Sequence, residues 1–245
     1  MNVIIPAAGR GTRLRPMTDN YPKCLIEVGG RPLLHYLLMN LKMVKVDKIF
    51  IITGYRHEMI ETYIENNSEL PDVILIQNDL HDTTNNIVSL WMSREFWKED
   101  FCVIESDLLI RFDLLEQLVR SETNCLFIDN SKGFDRIDMK AKIYNDHLVY
   151  LDKSLPQLET SGEFFGLSRW TPMFAAELLT EIECLINKNE TAALYDFAVR
   201  SLAQKIGLPV RYCSSDSWFE IDNMDDYLKA ESFIADNFKT HETIY

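Results

Sequence analysis

Short apolar runs alternate with helical patterns through the first half of the chain. Each run of four to six apolar residues predicts a buried strand, and apolar residues at i, i+3 and i+4 between the runs predict helices. This alternation is typical of βαβ units on a parallel sheet. The predicted strands are Val3–Pro6, Lys48–Thr53, Val73–Gln77, Phe101–Glu105 and Cys125–Ile128, and the predicted helices are Pro32–Met43, His57–Asn67 and Ile87–Trp97.

The pattern changes in the second half, from about Asp138. Two strand-like stretches, Asp138–Ile143 and His147–Leu151, flank Asn-Asp and predict a hairpin. We expect one domain over residues 1–245, with residues 131–158 as an insertion that could cover an acceptor site. The later predicted elements are strand Gly162–Trp170, helices Pro172–Ile186 and Thr191–Ala203, strand Val210–Cys213 and helix Met224–Phe238.

Composition narrows the possible partners. The 245 residues include 38 acids and 25 bases, a net charge of −13, which argues against a nucleic-acid or anionic-membrane surface. Five scattered cysteines without C-x-x-C spacing suggest reduced thiols, and no apolar run reaches the length of a membrane span. We therefore expect a cytoplasmic protein without membrane insertion. A homo-oligomer is compatible with the sequence but not indicated by it.

A glycine-rich loop follows the first predicted strand. Gly9 and Gly11 allow a tight turn whose amide groups can point at phosphate oxygens. The loop fits neither the P-loop pattern nor the dinucleotide fingerprint, which needs a third glycine where this chain has Leu14. The local cations that would complement bound phosphate are Arg10, Arg13, Arg15 and Lys23.

The same loop resembles the G-x-G-T-R-(x)n-P-K signature of the nucleotidyltransferases that join an NTP to a phosphorylated sugar or amino-alcohol. This resemblance implies a Rossmann-like α/β fold with a mixed, mainly parallel sheet flanked by helices. It also implies that Arg13 and Lys23 act on the triphosphate. The matching residues are Gly9, Gly11, Thr12, Arg13, Pro22 and Lys23, and the expected nucleotide contacts in the loop are Ala8, Gly9, Gly11 and Thr12.

Two aspartates stand where a metal ion could bind. Asp107 follows a predicted strand, at the sheet edge where open α/β folds bind ligands, and Asp222 precedes the last helix. Mg²⁺ commonly takes one or two carboxylates together with substrate phosphates. In the resembled family, aspartates at these two places hold the catalytic magnesium, so the resemblance implies a Mg²⁺ site at Asp107 and Asp222.

The loop before the third predicted helix contains amides and hydroxyls that could read a base. Sugar-nucleotide enzymes commonly carry a G-T-A-like string here, whereas this chain has T-N-N-I-V-S-L. That string resembles the branch that makes CDP-linked amino-alcohols, which includes bacterial phosphocholine cytidylyltransferases and 2-aminoethylphosphonate cytidylyltransferases. The nucleotide implied is CTP, and the candidate base-reading residues are Asn78, Thr84, Asn85 and Asn86.

A small zwitterionic phosphate or phosphonate as acceptor would need aromatic faces and carboxylates around its cation. The choice among phosphocholine, phosphoethanolamine and 2-aminoethylphosphonate stays open from the sequence. Rings are supplied by Trp170, Tyr195, Trp218, Phe164 and Phe165, carboxylates by Glu163, Asp196 and Glu220, and candidate ligands for the acceptor phosphate by Lys140 and Lys153.

Three other functions compete with a cytidylyltransferase as explanations of this sequence. A dehydrogenase would need the missing third glycine. A non-catalytic regulatory module of the same fold would bind nucleotide without turnover, although Lys23 and both aspartates argue for activity. A sugar-1-phosphate nucleotidyltransferase is the nearest alternative within the enzymes.

Overall fold

The computed structural model describes residues 1–131, 133 and 138–238. Strands and helices alternate over the first half, as the apolar pattern predicts. The first half contains β1 (Asn2–Ala7), β2 (Glu27–Val28), β3 (Arg31–Pro32), α1 (Leu33–Val44), β4 (Lys48–Thr53), α2 (His57–Glu65), β5 (Ile74–Gln77), α3 (Asn86–Met92), β6 (Phe101–Ile104), β7 (Leu108–Ile110), α4 (Phe112–Arg120) and β8 (Cys125–Asp129). The second half contains β9 (Lys140–Tyr144), β10 (His147–Leu151), β11 (Gly162–Trp170), α5 (Pro172–Asn187), α6 (Asp196–Ile206), β12 (Leu208–Cys213), β13 (Trp218–Glu220) and α7 (Met224–Asn237).

Within the described residues, nine strands form one mixed sheet in the order β5-β4-β1-β6-β11-β8-β12-β10-β9. Strands β5, β4, β1 and β6 are mutually parallel, and β12 is parallel to β8. Strand β11 is antiparallel to β6 and β8, and β10 is antiparallel to β12 and β9. The sheet is therefore mainly parallel with two reversed strands, as expected.

Both faces of the sheet are covered. On β1, Ile4 packs into one hydrophobic cluster, while Val3 and Ile5 pack into the cluster on the other face. Helices α1 and α4 contribute to the second cluster, and α5 and α6 to the first. Burial on both faces explains why the strands are continuous apolar runs instead of alternating ones. No helix in the described part of the chain is long and apolar enough to span a bilayer.

Most element boundaries agree with the sequence predictions, and the differences have local causes. The helix predicted at Ile87–Trp97 is divided, because α3 ends at Met92 and a short 3₁₀ helix covers Arg94–Phe96. Helix α6 begins at Asp196 instead of Thr191, since the preceding residues form turns. The sequence pattern did not predict helix α4 or the short strands β2, β3, β7 and β13.

The hairpin of β9 and β10 extends the main sheet. Strand β10 pairs with β12, and β9 pairs with β11 through Ala141 and Gly162. The hairpin is therefore built into the domain by backbone hydrogen bonds. Of the segment predicted as an insertion, residues 132 and 134–137 lie outside the described residues. That residues 131–158 cover an acceptor site stays a prediction.

Candidate active site

A cavity of about 350 Å³ opens at the carboxyl ends of the parallel strands. Its walls come from the loops after β1, β5 and β6, from β11 and from the start of α6. This volume is in the range of small-molecule sites, and the position is the one where open α/β folds bind ligands.

The glycine loop forms one wall of the cavity. Gly11 has φ +63°, and a Cβ atom there would lie 2.9 Å from Lys23 Cβ. Thr18 Oγ1 donates a hydrogen bond to the Gly11 carbonyl at 2.8 Å. Glycine at position 11 therefore lets the loop pack directly against the Lys23 side chain. The predicted loop contacts Ala8, Gly9, Gly11, Thr12, Arg13 and Lys23 all line the cavity.

Lys23 bridges the two predicted metal ligands. Its Nζ lies 2.5 Å from Asp107 Oδ2 and 2.5 Å from Asp222 Oδ1, and Arg13 Nη1 lies 2.9 Å from Asp222 Oδ2. Burial by itself would lower the pKa of Lys23, but the two carboxylates raise it above its usual value. Burial likewise opposes ionisation of Asp222, yet Lys23 and Arg13 hold its pKa below the usual value. Lys23 and Asp222 are therefore both charged at neutral pH.

A third acid joins Asp107 and Asp222. One carboxylate oxygen from each of Asp107, Glu220 and Asp222 lies within 4.8 Å of the others. Asp107 Oδ1 is buried and has no hydrogen-bond partner among the described residues. Three hard oxygen donors, one of them without a partner, fit a Mg²⁺ ion. The cluster forms because β13 pairs with β7, which places Glu220 opposite Leu108.

The second aspartate is held by a helix cap. Asp226 accepts hydrogen bonds from the backbone N–H groups of Asp222 and Asn223, and Asn223 caps α7 in return. This capping box fixes the chain direction at Asp222. The prediction that Asp222 lies just before the start of the last helix is therefore confirmed.

The amide-rich loop before α3 lines the cavity, but its side chains are engaged in holding the loop. Asn78 is 1% exposed, accepts from Leu80 N–H and donates to Ser89 Oγ. Thr84 donates to the Leu80 carbonyl, and Asn85 caps α3. Base reading by Asn78, Thr84, Asn85 and Asn86 stays a prediction.

Three of the predicted acceptor-binding rings lie in the core. Trp170 and Tyr195 are each 0% exposed, and Trp218 is 1% exposed and stacks on Phe165 at 3.9 Å between ring centroids. Trp170 Nε1 donates to Ser168 Oγ, and Trp218 Nε1 donates to Asp129 Oδ2. None of the three rings lines the cavity, so its lining gives no support for their contact with the acceptor, and that contact stays a prediction.

The two predicted lysines differ in position. Lys140 Nζ donates to the Leu155 carbonyl at 3.1 Å, and this residue does not line the cavity. The cavity lining therefore gives no support for Lys140 as a ligand of the acceptor phosphate, and that role stays a prediction. Lys153 does line the cavity, where its Nζ lies 2.6 Å from Asp138 Oδ2.

The predicted carboxylates Glu163 and Asp196 line the cavity. Glu163 Oε1 accepts a hydrogen bond from Asp138 N–H at 2.8 Å. Asp196 is 9% exposed, and burial raises its pKa to about 6, an effect that Asp138 increases and Lys153 opposes.

Sequence reasoning missed Glu105. It lines the cavity with Asp107 and Asp196, whose charges both act on it, and Asn86 Nδ2 donates to its Oε1 at 3.1 Å. Burial, with Asp107 and Asp196 nearby, raises the pKa of Glu105 well above its usual value. The sequence does offer one signal, because Glu105 is the first charged residue after the apolar run of β6.

Comparisons with known proteins show which family this chain resembles. A family model described as Nucleotidyl transferase matches residues 2–125. The choline-phosphate cytidylyltransferase of Streptococcus pneumoniae is 29% identical over 96% of this chain and 98% of its own length. The CTP:phosphoglutamine cytidylyltransferase of Campylobacter jejuni is 25% identical, over 92% and 97%. The solved structure of CTP:phosphocholine cytidylyltransferase from Streptococcus pneumoniae superposes with a TM-score of 0.77 at 26% identity, covering 95% of this chain and 98% of that one.

Proposed function

This chain is an enzyme of the nucleotidyltransferase family, and from that premise we propose that it transfers CMP from CTP to a small amino-alcohol phosphate or phosphonate. Its similarity to two kinds of cytidylyltransferase over nearly the whole length of each supports cytosine as the base. All five cysteines are unpaired, which supports a reducing compartment such as the cytoplasm.

The observation that carries the proposal is the bridge from Lys23 to Asp107 and Asp222 beside the glycine loop. Three distant parts of the chain bring one cation and two carboxylates to the same point in the cavity. Nucleotidyl transfer needs such a combination, because it must position two anions and stabilise the charge of the leaving group.

In the proposed reaction, an anionic oxygen of the acceptor attacks the α-phosphorus of CTP. A new P–O bond forms, the bond from the α-phosphorus to the oxygen that bridges the α- and β-phosphates breaks, and pyrophosphate leaves. The attacking oxygen carries no proton at neutral pH, so no general base is required. Arg13 and Lys23 would bind the triphosphate oxygens and stabilise the charge that develops on the pyrophosphate.

Asp107 and Asp222 would hold Mg²⁺, with Glu220 as a third oxygen ligand. The bound ion would supply charge neutralisation and orientation of the phosphates. The atom that most favours this assignment is Asp107 Oδ1, which is buried and accepts no hydrogen bond from the residues that the structure describes.

The charge of the cavity favours a cationic acceptor over a sugar phosphate. Its described lining includes three cations, Arg13, Lys23 and Lys153, against seven acids, Glu105, Asp107, Asp138, Glu163, Asp196, Glu220 and Asp222. A metal ion would engage only part of this acidic group. The remaining acids suit an ammonium group better than the neutral hydroxyls of a sugar.

A pyrophosphate-release screen tests the proposal. The four NTPs should be combined with phosphocholine, phosphoethanolamine, 2-aminoethylphosphonate and glucose-1-phosphate in the presence of Mg²⁺. We expect release only with CTP and an amino-alcohol phosphate or phosphonate. Turnover of glucose-1-phosphate alone would support the sugar-nucleotide alternative, and CTP binding without release for any acceptor would support the non-catalytic one.

A further inference from the structure

We propose that Glu105 and Asp196 together bind a primary ammonium group of the acceptor, so that phosphoethanolamine or 2-aminoethylphosphonate is preferred to phosphocholine. This inference rests on the proposed cytidylyltransferase function. It adds Glu105 to the acceptor site and selects one chemical class among the candidate acceptors.

The first observation is a buried carboxylate in the cavity wall without a partner. Asp196 is 9% exposed, and within residues 1–131, 133 and 138–238 its side chain makes no ion pair and no hydrogen bond to another residue. Buried charges are normally paired, because removal from water is costly. A cationic ligand would give Asp196 the partner that this part of the protein does not.

The second observation is that Glu105 is held beside Asp196 by a single amide. Asn86 Nδ2 donates to Glu105 Oε1 at 3.1 Å, and Asn86 Oδ1 accepts from Tyr195 N–H at 2.9 Å, one residue before Asp196. Asn86 therefore ties the loop after β6 to the start of α6. Because the side-chain amide of Asn86 positions both Glu105 and Asp196, we assign Asn86 to the acceptor site.

The third observation concerns aromatic faces. A trimethylammonium group has no N–H to donate, and it is recognised by rings, whereas a primary ammonium donates three hydrogen bonds. Trp170, Tyr195 and Trp218 are absent from the cavity lining. The lining rings Phe164 and Phe165 are 2% and 6% exposed, and Trp218 covers one face of Phe165. Carboxylates are thus better placed than rings to receive the cation.

A series of N-methylated acceptors tests this directly. Phosphoethanolamine and its mono-, di- and trimethyl forms present three, two, one and no N–H donors at constant charge. With CTP and Mg²⁺, kcat/KM should fall along the series, by about 10-fold or more in total, as expected for the loss of hydrogen bonds to charged groups. The fall should lie in KM of the acceptor, with KM of CTP unchanged.

Variants of the two acids show whether lost hydrogen bonds or the size of the methyl groups cause the fall in kcat/KM. Asp196→Asn and Glu105→Gln should raise KM for phosphoethanolamine by about 10- to 100-fold and flatten the methylation series. Asn86→Ala should act in the same direction by releasing both acids. Asp72→Asn, which changes an exposed acid outside the cavity, is the matched control and should have no effect.

The outcomes distinguish this inference from the proposed function. Phosphocholine turned over as well as or better than phosphoethanolamine would overturn the inference and leave the cytidylyltransferase intact. A series that declines equally in wild type and in both acid variants would mean that pocket size selects the acceptor, and would also overturn it. No pyrophosphate from CTP with any acceptor would overturn the proposed function itself.

Discussion

Gly166 lies against the side chain of Glu105, so that a Cβ atom at position 166 would be 2.3 Å from Glu105 Cγ. Gly166 also has φ +83° and marks a register shift in β11. The bend in this strand therefore makes room for a carboxylate that comes from the loop after β6. On our proposal, acceptor specificity therefore depends on Gly166. This residue has no side chain and acts by leaving space for Glu105.

A pair of glycine variants can test this relationship. Gly30 has the same φ of +83° with no atom within 4 Å of an added Cβ. Gly166→Ala and Gly30→Ala should share the backbone cost of roughly 1–2 kcal/mol. Only Gly166→Ala should raise KM for the acceptor, because only it displaces Glu105. Urea unfolding and acceptor kinetics of both variants make the comparison, and equal acceptor KM values would contradict the role of Gly166.

The metal assignment predicts a severe loss of turnover in two variants. Asp107→Ala and Asp222→Ala should each lower kcat by on the order of 10³ or more, by analogy with the loss of groups that stabilise transition-state charge. Both should also weaken Mn²⁺ binding, measured by electron paramagnetic resonance. Asp225→Ala removes an exposed acid three residues from Asp222 and should change neither property. Near-normal Mg²⁺-dependent activity in either test variant would refute the assignment.

Alanine substitution of the loop cations should change kcat/KM for CTP by very different amounts from one position to another. Lys23→Ala and Arg13→Ala should reduce kcat/KM for CTP by roughly 100-fold or more, since each side chain lines the cavity and faces the acidic cluster. Arg15→Ala is the matched control from the same loop, because Arg15 pairs with Asp19 and does not line the cavity. Similar kinetics for all three variants would mean that the loop is only a basic turn.

The sequence predicted those parts of the fold and site that local pattern determines. Strands such as β1 were predictable because burial on both faces leaves a continuous apolar run. Lys23, Asp107 and Asp222 were predictable because a loop signature and two element ends mark them. Their meeting in one cluster with Glu220 was not, because it depends on pairing between β7 and β13.

The wall of the acceptor site was the least predictable part. Which side of β11 faces the cavity depends on where α5 and α6 pack, so Trp170 could not be assigned to core or site from its type. The place of Glu105 in the cavity wall was not predictable from the sequence near it, since the space for its side chain is provided by Gly166 in a different strand. Helix α4 did carry one, with Leu114, Leu115 and Leu118 at helical spacing, but it is only nine residues long and was missed.

Stability should depend on pH through Asp196. Its pKa is about 6 in the folded protein against an ordinary value of 3.8, because burial and Asp138 raise it while Lys153 opposes the increase. A raised carboxyl pKa means that ionisation costs folding free energy above pH 6, by roughly 3 kcal/mol. Asp196→Asn avoids that cost, so we expect it to be more stable than wild type at pH 8, with the difference shrinking as pH falls from 6 toward 4. Urea unfolding of both proteins across this range, with Asp72→Asn as control, measures the effect. A difference that stays constant with pH would show that Asp196 ionises normally and would remove the reason to expect it to seek a cation.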